Sequence, residues 1–294
     1  MNESALSEPI LILGASGMLG SSLTPYLLSR GYPIRGHSMS SDAFDQADLV
    51  DEAEAAKFMD RIKPSVIINL VGLTDVDRCE INPDDAYRVN VKSVENIAHW
   101  IKHQRPNCHL IHISTDQVYD GWPIHRESDV RIVNCYAFSK YAGELAAKGV
   151  AATIVRTNFF GLSLNSKRKS LTDWLFNALN QNNSVPVFED VFFSPISMSS
   201  LCEIIELLAL KKPVGVFNVG SREGMSKADF AFAFAKALNI SSENMRRIKI
   251  DEIDFLKAKR PKSMCMDYTY INQKMGIFMP LLQNEIELVA RAYL

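Results

Sequence analysis

The chain has 294 residues, 47% hydrophobic and 22% charged, with 32 Lys and Arg against 34 Asp and Glu for a net charge of −2. This is the composition of a globular protein of one large domain or two joined ones, and it excludes a disordered chain. The charge balance speaks against a nucleic-acid or membrane-surface binder, no apolar run approaches the roughly 18 residues of a membrane helix, and Met1 to Glu8 lacks the basic start of a signal peptide.

In chain order, the apolar run Pro9–Leu13 predicts a buried strand, and Leu19, Leu23 and Leu27 then recur as on one helix face. Glu52–Ile62 reads as a helix, Ser65–Val71 as a second buried strand and Pro83–His103 as one long helix. His109–Ile113 follows as a strand, Tyr136–Lys148 as a helix and Ala152–Arg156 as a strand. Alternating helices and near-continuous apolar strands predict an α/β fold, a doubly wound parallel sheet covered on both faces.

Past Gly161 the pattern changes. Lys167-Arg168-Lys169 opens a polar connection and Leu171–Leu179 looks helical. Leu201, Ile204, Ile205 and Leu208 form a stripe behind a Ser200-x-x-Glu203 capping box, and Val214–Val219 reads as a strand before a second box, Ser226-x-x-Asp229. The expected division is a sheet domain over 1–161, with 199–222 returning to it, and a smaller interleaved lobe over 162–198 and 223–294.

The five cysteines, Cys79, Cys108, Cys135, Cys202 and Cys265, are widely spaced with no Cys-x-x-Cys, and none of the six histidines is followed directly by a glutamate. Neither a disulfide framework nor a metal site is expected, and a reducing, cytoplasmic setting fits. His109 and His112 flank a strand and read as structural.

Gly14-Ala15-Ser16-Gly17-Met18-Leu19-Gly20 stands between the first strand and the first helix. A tight turn, a close backbone approach to a pyrophosphate and a helix packed on the sheet each exclude a side chain, and the helix N-terminus offers N–H groups to the phosphates. The alternative is a tight turn without a ligand. An NAD site normally carries an acid about 20 residues on. Here Ile34-Arg35-Gly36-His37-Ser38 has none, so Arg35, His37 and Ser38 are candidates for a 2′-phosphate and NADP is favoured over NAD. Arg35 reads equally as a surface residue. Asp48, ahead of Leu49, is a candidate for the adenine edge or a turn residue.

Tyr136-Ala137-Phe138-Ser139-Lys140 places a phenol and an ammonium four apart, on one helical face. A phenol titrates near 10, and bringing it to about 7 takes about 4 kcal/mol, which a desolvated ammonium helps to supply. Ser114-Thr115-Asp116-Gln117 follows directly on a strand, where ligands of such sheets bind. A threonine hydroxyl there can polarise a carbonyl while Tyr136 gives or takes the proton.

With these three motifs the chain resembles the extended short-chain dehydrogenase/reductase superfamily, an NAD(P)-binding Rossmann fold with a Thr–Tyr–Lys triad, here Thr115, Tyr136 and Lys140. Within it the resemblance is to the dTDP-4-dehydrorhamnose reductase and sugar-nucleotide-binding branch. It is carried by Val66-Ile67-Ile68-Asn69, Thr74 to Glu80, Asn90-Val91, Asp120-Gly121, Asn134-Cys135-Tyr136, Ser139-Lys140-x-x-Gly143-Glu144 and Arg260-Pro261 with Met266-Asp267. It implies NAD(P)H reduction of a nucleotide-linked 4-keto-6-deoxy sugar and makes the smaller lobe the substrate-binding one. It also implies cofactor contacts at Gly14, Ser16, Gly17, Met18, Leu19, Gly20, Leu49, Leu70, Val71, Gly72, Thr74, Asn90, Tyr136 and Lys140. Substrate contacts are implied at Thr74, Asp116, Gln117, Asn158, Trp174 and Arg260, and pairing of exposed helices into a homodimer.

Departures from the branch are Gln117 in place of an aromatic, Ala137 in place of a glycine, and no proline ahead of Asn134. Dehydratases of the superfamily carry Thr-Asp-Glu, and Gln117 cannot act as their base, which disfavours dehydration. The other readings are a nucleotide-sugar 4-epimerase and a non-catalytic NADP-binding regulator like the regulatory subunit of methionine adenosyltransferase, which the N-terminal half also resembles. A diphosphate needs cations. The clusters Lys167-Arg168-Lys169, Arg222, Arg246-Arg247 and Lys257 to Lys262 are candidates or solvated faces, with Arg260 set apart by its family-like context. Trp174 and Phe193 read as stacking residues or as packing.

Overall fold

Strands that are apolar on both sides build the central sheet. β1 (Ile10–Leu13) is fully buried, β2 (Ile34–His37) lies at one edge and β3 (Val66–Asn69) is again fully buried; β4 (His109–Thr115) and β5 (Ala152–Thr157) are buried along their whole length. The sheet runs Gly215–Val219, β5, β4, β3, β1, β2. β1 pairs in parallel with β2 on one side and β3 on the other, Leu11 standing opposite both Arg35 and Ile67, and β3 pairs in parallel with β4. Strand order therefore reverses at β1, which makes the carboxyl ends of β1 and β3 the switch point where such sheets bind ligands.

The computed structural model describes residues 8–121, 123–181 and 184–294, so the N-terminal segment read above for a leader falls outside it up to residue 7. The chain divides into two units. One comprises the chain up to Ser114 with Cys135–Val155 and Cys202–Val216; the other comprises Thr115–Asn134, Arg156–Leu201 and Phe217–Leu294.

In the first unit, α1 (Met18–Ser29) buries the predicted stripe of Leu19, Leu23 and Leu27. α2 (Glu52–Ile62) begins at Asp51, whose carboxylate accepts the Glu54 N–H, carries Glu52 and Glu54 in its first turn and ends at Lys63 with φ 52°. Acids at the N-terminus and a left-handed residue at the end are what a helix requires there. Phe58, Met59, Trp100, Ile101, Leu110 and Ile154 share a core with β1 and β3.

The helix over Pro83–His103 forms, with a π-helical turn inside it. After α3 (Val76–Ile81), the stretch is α4 (Pro83–Tyr87), a π-helical turn over Arg88–Lys92, and α5 (Ser93–Gln104). Periodicity cannot show the extra residue of a π turn, and such turns cluster at functional sites. α6 (Cys135–Ala147) buries Tyr136, Ala137, Ser139, Lys140, Gly143 and Glu144 along one side.

The second unit is built from short pieces. Phe159–Phe160 pairs with Ile196–Ser197, Val185–Phe188 with Met245–Ile248, and Phe192–Phe193 with Met225–Ser226. The helices Leu171–Asn180, Lys227–Ala237 and Leu282–Ala290 enclose a core of Phe160, Leu175, Phe193, Phe230, Phe234 and Ile286. Ser226 caps its helix by accepting the Asp229 N–H, as the second capping box predicts. The first box is displaced. The helix is Met198–Lys211, so Ser200 lies inside it and donates to Glu285, while Ser197 accepts the Ser200 N–H. Ser197 stands three positions nearer the N-terminus, and the cap follows the helix start.

Candidate active site

The glycine turn leaves β1 with Gly14 at φ +81°, where a Cβ would also sit 3.2 Å from the Leu70 carbonyl carbon. A Cβ on Gly20 would come within 2.4 Å of the Gly14 carbonyl oxygen and 2.7 Å of Ala15. The three glycines thus fold the turn onto itself and onto the end of β3. Gly17 is the N-cap of α1 and supplies no side chain, and the first turn holds no acid, so its N–H groups face outward under a positive dipole end. Such an arrangement is able to receive a pyrophosphate. Ser16 hydrogen-bonds the hydroxyl of Ser38. Met18 and Leu19 open α1, Leu19 buried.

Past β2 the segment to Ala47 folds back over the strand: the Ser38 N–H donates to Asp45, the Asp45 N–H to Gly36, and a Cβ on Gly36 would meet the Phe44 ring. Arg35 stays half exposed, 2.6 Å from Asp45, which also holds Arg61 at 3.1 Å. His37 faces the core. It is 2% exposed, its ring stands 5.5 Å from Phe58, and Nε2 pairs with the Ala47 carbonyl at 2.8 Å. Burial lowers its pKa, so the fold-back turns it from a phosphate candidate into a neutral packing residue. Asp48 accepts the Val50 N–H, a turn bond, and Leu49 is buried.

At the end of β3 the loop from Leu70 to Thr74 is held by Asn90, which sits in the π turn and is 1% exposed. Its Oδ1 accepts the Leu73 N–H at 2.7 Å, and its Nδ2 donates to the Leu73 carbonyl at 3.0 Å and to Ser139 at 2.9 Å. Leu70, Val71 and Gly72 are half-buried and Thr74 is exposed. A Cβ on Gly72 would lie 3.3 Å from Asn90 Oδ1 and 3.6 Å from Lys140 Nζ, and one on Gly143 would strike the Asn90 carbonyl oxygen at 2.3 Å. Gly143 is what lets α6 lie against the π turn.

Tyr136 and Lys140 are 6% and 4% exposed on the buried side of α6. The Lys140 ammonium donates to the Ile113 carbonyl at 2.8 Å, so it is anchored on β4 two residues ahead of Thr115. Burial brings its pKa down to about 8, opposed by Glu144. Glu144, fully buried, accepts from Ser114 at 2.5 Å.

In the second unit Thr115 closes β4 with its hydroxyl 3.3 Å from Asp116 Oδ1, and it accepts the Gln117 N–H at 3.2 Å. Asp116 is 1% exposed and accepts from Asn158 Nδ2 at 2.9 Å. Burial raises its pKa to about 6, against the pull of Asn158 and of Lys227. Gln117 Oε1 is buried without a partner. Arg260 is half-buried, donates to the Ala258 carbonyl at 2.9 Å and is among the charges acting on Lys227.

Residues 8–294 match the family described as RmlD substrate binding domain. The chain belongs to this family. Among its relatives, dTDP-4-dehydrorhamnose reductase of Aggregatibacter actinomycetemcomitans is 31% identical over 286 residues, 91% of this chain and 93% of that one. Methionine adenosyltransferase 2 subunit beta of Rattus norvegicus is 26% identical over 275 residues, 89% of this chain and 80% of that one. The fold matches the crystal structure of dTDP-4-dehydrorhamnose reductase from Bacillus anthracis in complex with NADP, with a TM-score of 0.88 at 24% identity over 98% of this chain and 100% of that one.

Other readings resolve against this family background. Phe193 is core, packed edge-on to Phe230, but Trp174 is 44% exposed and takes no part in the core. Lys167, Arg168 and Lys169 are exposed. Arg247 pairs with Asp229, and Lys262 with Asp190 and Asp251. A cavity of about 1130 Å³ in the second unit, lined by Phe192, Ser194, Ser221, Cys265, Tyr268 and Ile277 among others, was not legible in the sequence; Asp116, Asn158 and Arg260 are not part of its wall. Sequence reasoning also passed over Lys227. Among the described residues no His, Cys, Asp and Glu group is suited to a metal, and no helix is long and apolar enough to cross a membrane.

Proposed function

We propose that the protein is an NADP(H)-dependent reductase of a nucleotide-linked 4-keto sugar, of the dTDP-4-dehydrorhamnose reductase kind. The observation that carries this is the buried Tyr136–Lys140 pair, with Lys140 anchored to the strand that ends in Thr115, in a unit whose glycine turn opens a helix at the switch point. Kinship with the Aggregatibacter reductase supports the same reading, and NADP in the Bacillus structure favours that coenzyme over NAD.

The coenzyme's pyrophosphate would lie on Gly14 to Gly20, its nicotinamide half beside Val71, Gly72, Asn90 and Lys140, and a 2′-phosphate near Arg35 and Ser38. When bound and reduced it supplies two electrons and the hydrogen that becomes attached to the carbonyl carbon. Tyr136 delivers a proton to the carbonyl oxygen as that oxygen gains charge, and Thr115 donates a hydrogen bond to it. Lys140 spends one of its three N–H donors on Ile113, leaving two for the phenolate and a ribose hydroxyl. Its charge lowers the cost of deprotonating the phenol, and the proton returns to Tyr136 from solvent. Asp116, Asn158 and Arg260, all of the second unit, would meet the sugar and diphosphate, with the first unit carrying the coenzyme. A cytoplasmic homodimer accompanies this reading, checked by sedimentation.

The test is NADPH oxidation against a panel of nucleotide-linked 4-keto sugars. Turnover is expected with at least one, and Tyr136→Phe is expected to lose at least about 10²-fold in kcat with coenzyme binding intact. Kinship with the methionine adenosyltransferase subunit supports a second reading, a coenzyme-binding regulator. A protein that binds NADP, turns over no keto sugar and is unaffected by Tyr136→Phe would be that regulator.

A further inference from the structure

The cavity of the second unit has no task in the proposed chemistry. It holds about 1130 Å³, and none of Asp116, Asn158 and Arg260 belongs to its wall. Small-molecule sites commonly hold about 300–1000 Å³, so there is room for a ligand of ordinary size. The wall is chiefly apolar. Met266, Ile277 and Met279 are buried in it, whereas Ile124, Phe192 and Phe278 also line it and are exposed. Large apolar side chains left in water around one opening mark a surface that binds something apolar.

The charges of the wall are already matched. Lys262 lies 2.9 Å from Asp190, and Asp267 lies 3.6 Å from Arg126. Arg222 and Glu223 are adjacent opposite charges in solvent, and Nε of Arg222 donates to the Met279 carbonyl at 2.9 Å. An ionised ligand would give up water here and find no free counter-charge. Hydroxyl protons, by contrast, are to spare. Ser194 is buried, and its oxygen accepts from the Tyr268 hydroxyl at 2.6 Å and from the Met266 N–H at 3.2 Å. Both lone pairs are then in use, and its own proton remains to be given. Ser221 is fully buried and its hydroxyl has no partner. Both serines line the cavity. A buried hydroxyl without a partner is unfavourable, and a ligand oxygen that accepts from it removes that cost.

We propose that this cavity is a second ligand site, for an uncharged ring compound bearing a carbonyl or ether oxygen. The rings lie against Phe192, Phe278 and the two methionines, and the oxygen accepts from Ser221 or Ser194. Such a ligand is neither the coenzyme nor the keto sugar, both of which carry phosphoryl charge, so the site stands independently of the reductase reading.

The probe is 6-propionyl-2-dimethylaminonaphthalene, an uncharged naphthyl ketone whose emission moves to the blue away from water. Its charged counterpart is 8-anilinonaphthalene-1-sulfonate. The ketone is expected to bind, and the sulfonate to bind at least about tenfold more weakly. Ile124→Ala with Phe278→Ala should weaken the ketone about tenfold, and Ser221→Ala about threefold or more. Thermal melting should stay near wild type in each, because the first two side chains are exposed and the third has no bond to lose. Saturating NADP should leave the ketone bound. No ketone binding, an affinity unmoved by these variants, displacement by NADP, or a sulfonate bound as tightly overturns the site. Should a variant fail to fold, benzophenone, an uncharged diaryl ketone, is photolysed on the wild-type protein and its adducts are mapped by mass spectrometry. Adducts on peptides carrying Met266 or Met279 support the site; adducts confined elsewhere, or none, overturn it. Ketone binding by a protein that oxidises no NADPH sinks the reductase reading alone, and NADPH oxidation by one that takes no ketone sinks this site alone.

Discussion

Replacing Asn90 by alanine is expected to unfasten the loop between Leu70 and Thr74 from the π turn. The amide is 1% exposed and makes three hydrogen bonds, two to the Leu73 backbone and one to Ser139. Ser139 keeps its bond to the Tyr136 carbonyl, so it loses only a donor from Asn90. The Leu73 N–H loses its partner outright, and a buried group left unpaired costs about 1–3 kcal/mol. Adding the lost bond to the Leu73 carbonyl and the small void gives roughly 2–4 kcal/mol, or about 5–15 °C in Tm at about 2–4 °C per kcal/mol. Because Leu70 lies against Gly14, NADP affinity should fall with stability, by about tenfold. Asn90→Asp keeps the acceptor for the Leu73 N–H but presents an oxygen to the Leu73 carbonyl, so it should behave more like alanine than like wild type. Thermal melting and NADP titration decide. An alanine variant within 2 °C of wild type and of unchanged affinity would show that the amide clamp is incidental.

Three further outcomes follow from the geometry. Gly20→Ala gains about 1 kcal/mol of helix propensity but forces a Cβ to 2.4 Å from the Gly14 oxygen; the overlap should win, lowering both Tm and NADP affinity, and a stabilised variant with full affinity would refute the close packing of the turn. Lys140, at about 8 in the fold against 10.5 unperturbed, loses its proton sooner when folded. Above about pH 8 the cation beside the phenol disappears and reductase kcat/KM should fall. The same group adds stability as pH rises from 8 to 10.5, because only the unfolded chain still binds that proton, by up to about 3 kcal/mol. A flat rate profile through pH 9 would contradict this. Asp116, raised to about 6 from 3.8, disfavours folding increasingly as pH rises through that interval. Asp116→Asn should therefore gain stability over wild type as pH rises from 4 to 8, by up to about 3 kcal/mol, and a difference in Tm independent of pH would refute the burial argument.

The sheet was legible because β1, β3, β4 and β5 are covered on both faces, so their apolar runs are continuous. Most of the second unit's strands have two residues, too few to show a period of two, and only its helices could be read. His37 misled because alternation puts it on the same side as exposed Arg35, while the fold-back at Phe44 and Asp45 covers one and not the other. The π turn was hidden because its sequence, Arg88-Val89-Asn90-Val91-Lys92, is good helix material and the extra residue appears only in the backbone.

The chain leaves the first unit after Ser114, returns at Cys135, leaves again after Val155 and closes it only with Cys202–Val216. About 100 residues therefore separate the exit of Ser114 from the last segment that the sheet unit needs, roughly 5–20 s of synthesis at 5–20 residues per second. Through that interval the growing sheet keeps an open edge, at β4 until β5 is made and at β5 until Gly215–Val219 arrives, and no single cut in the gene would release either half as a folding piece.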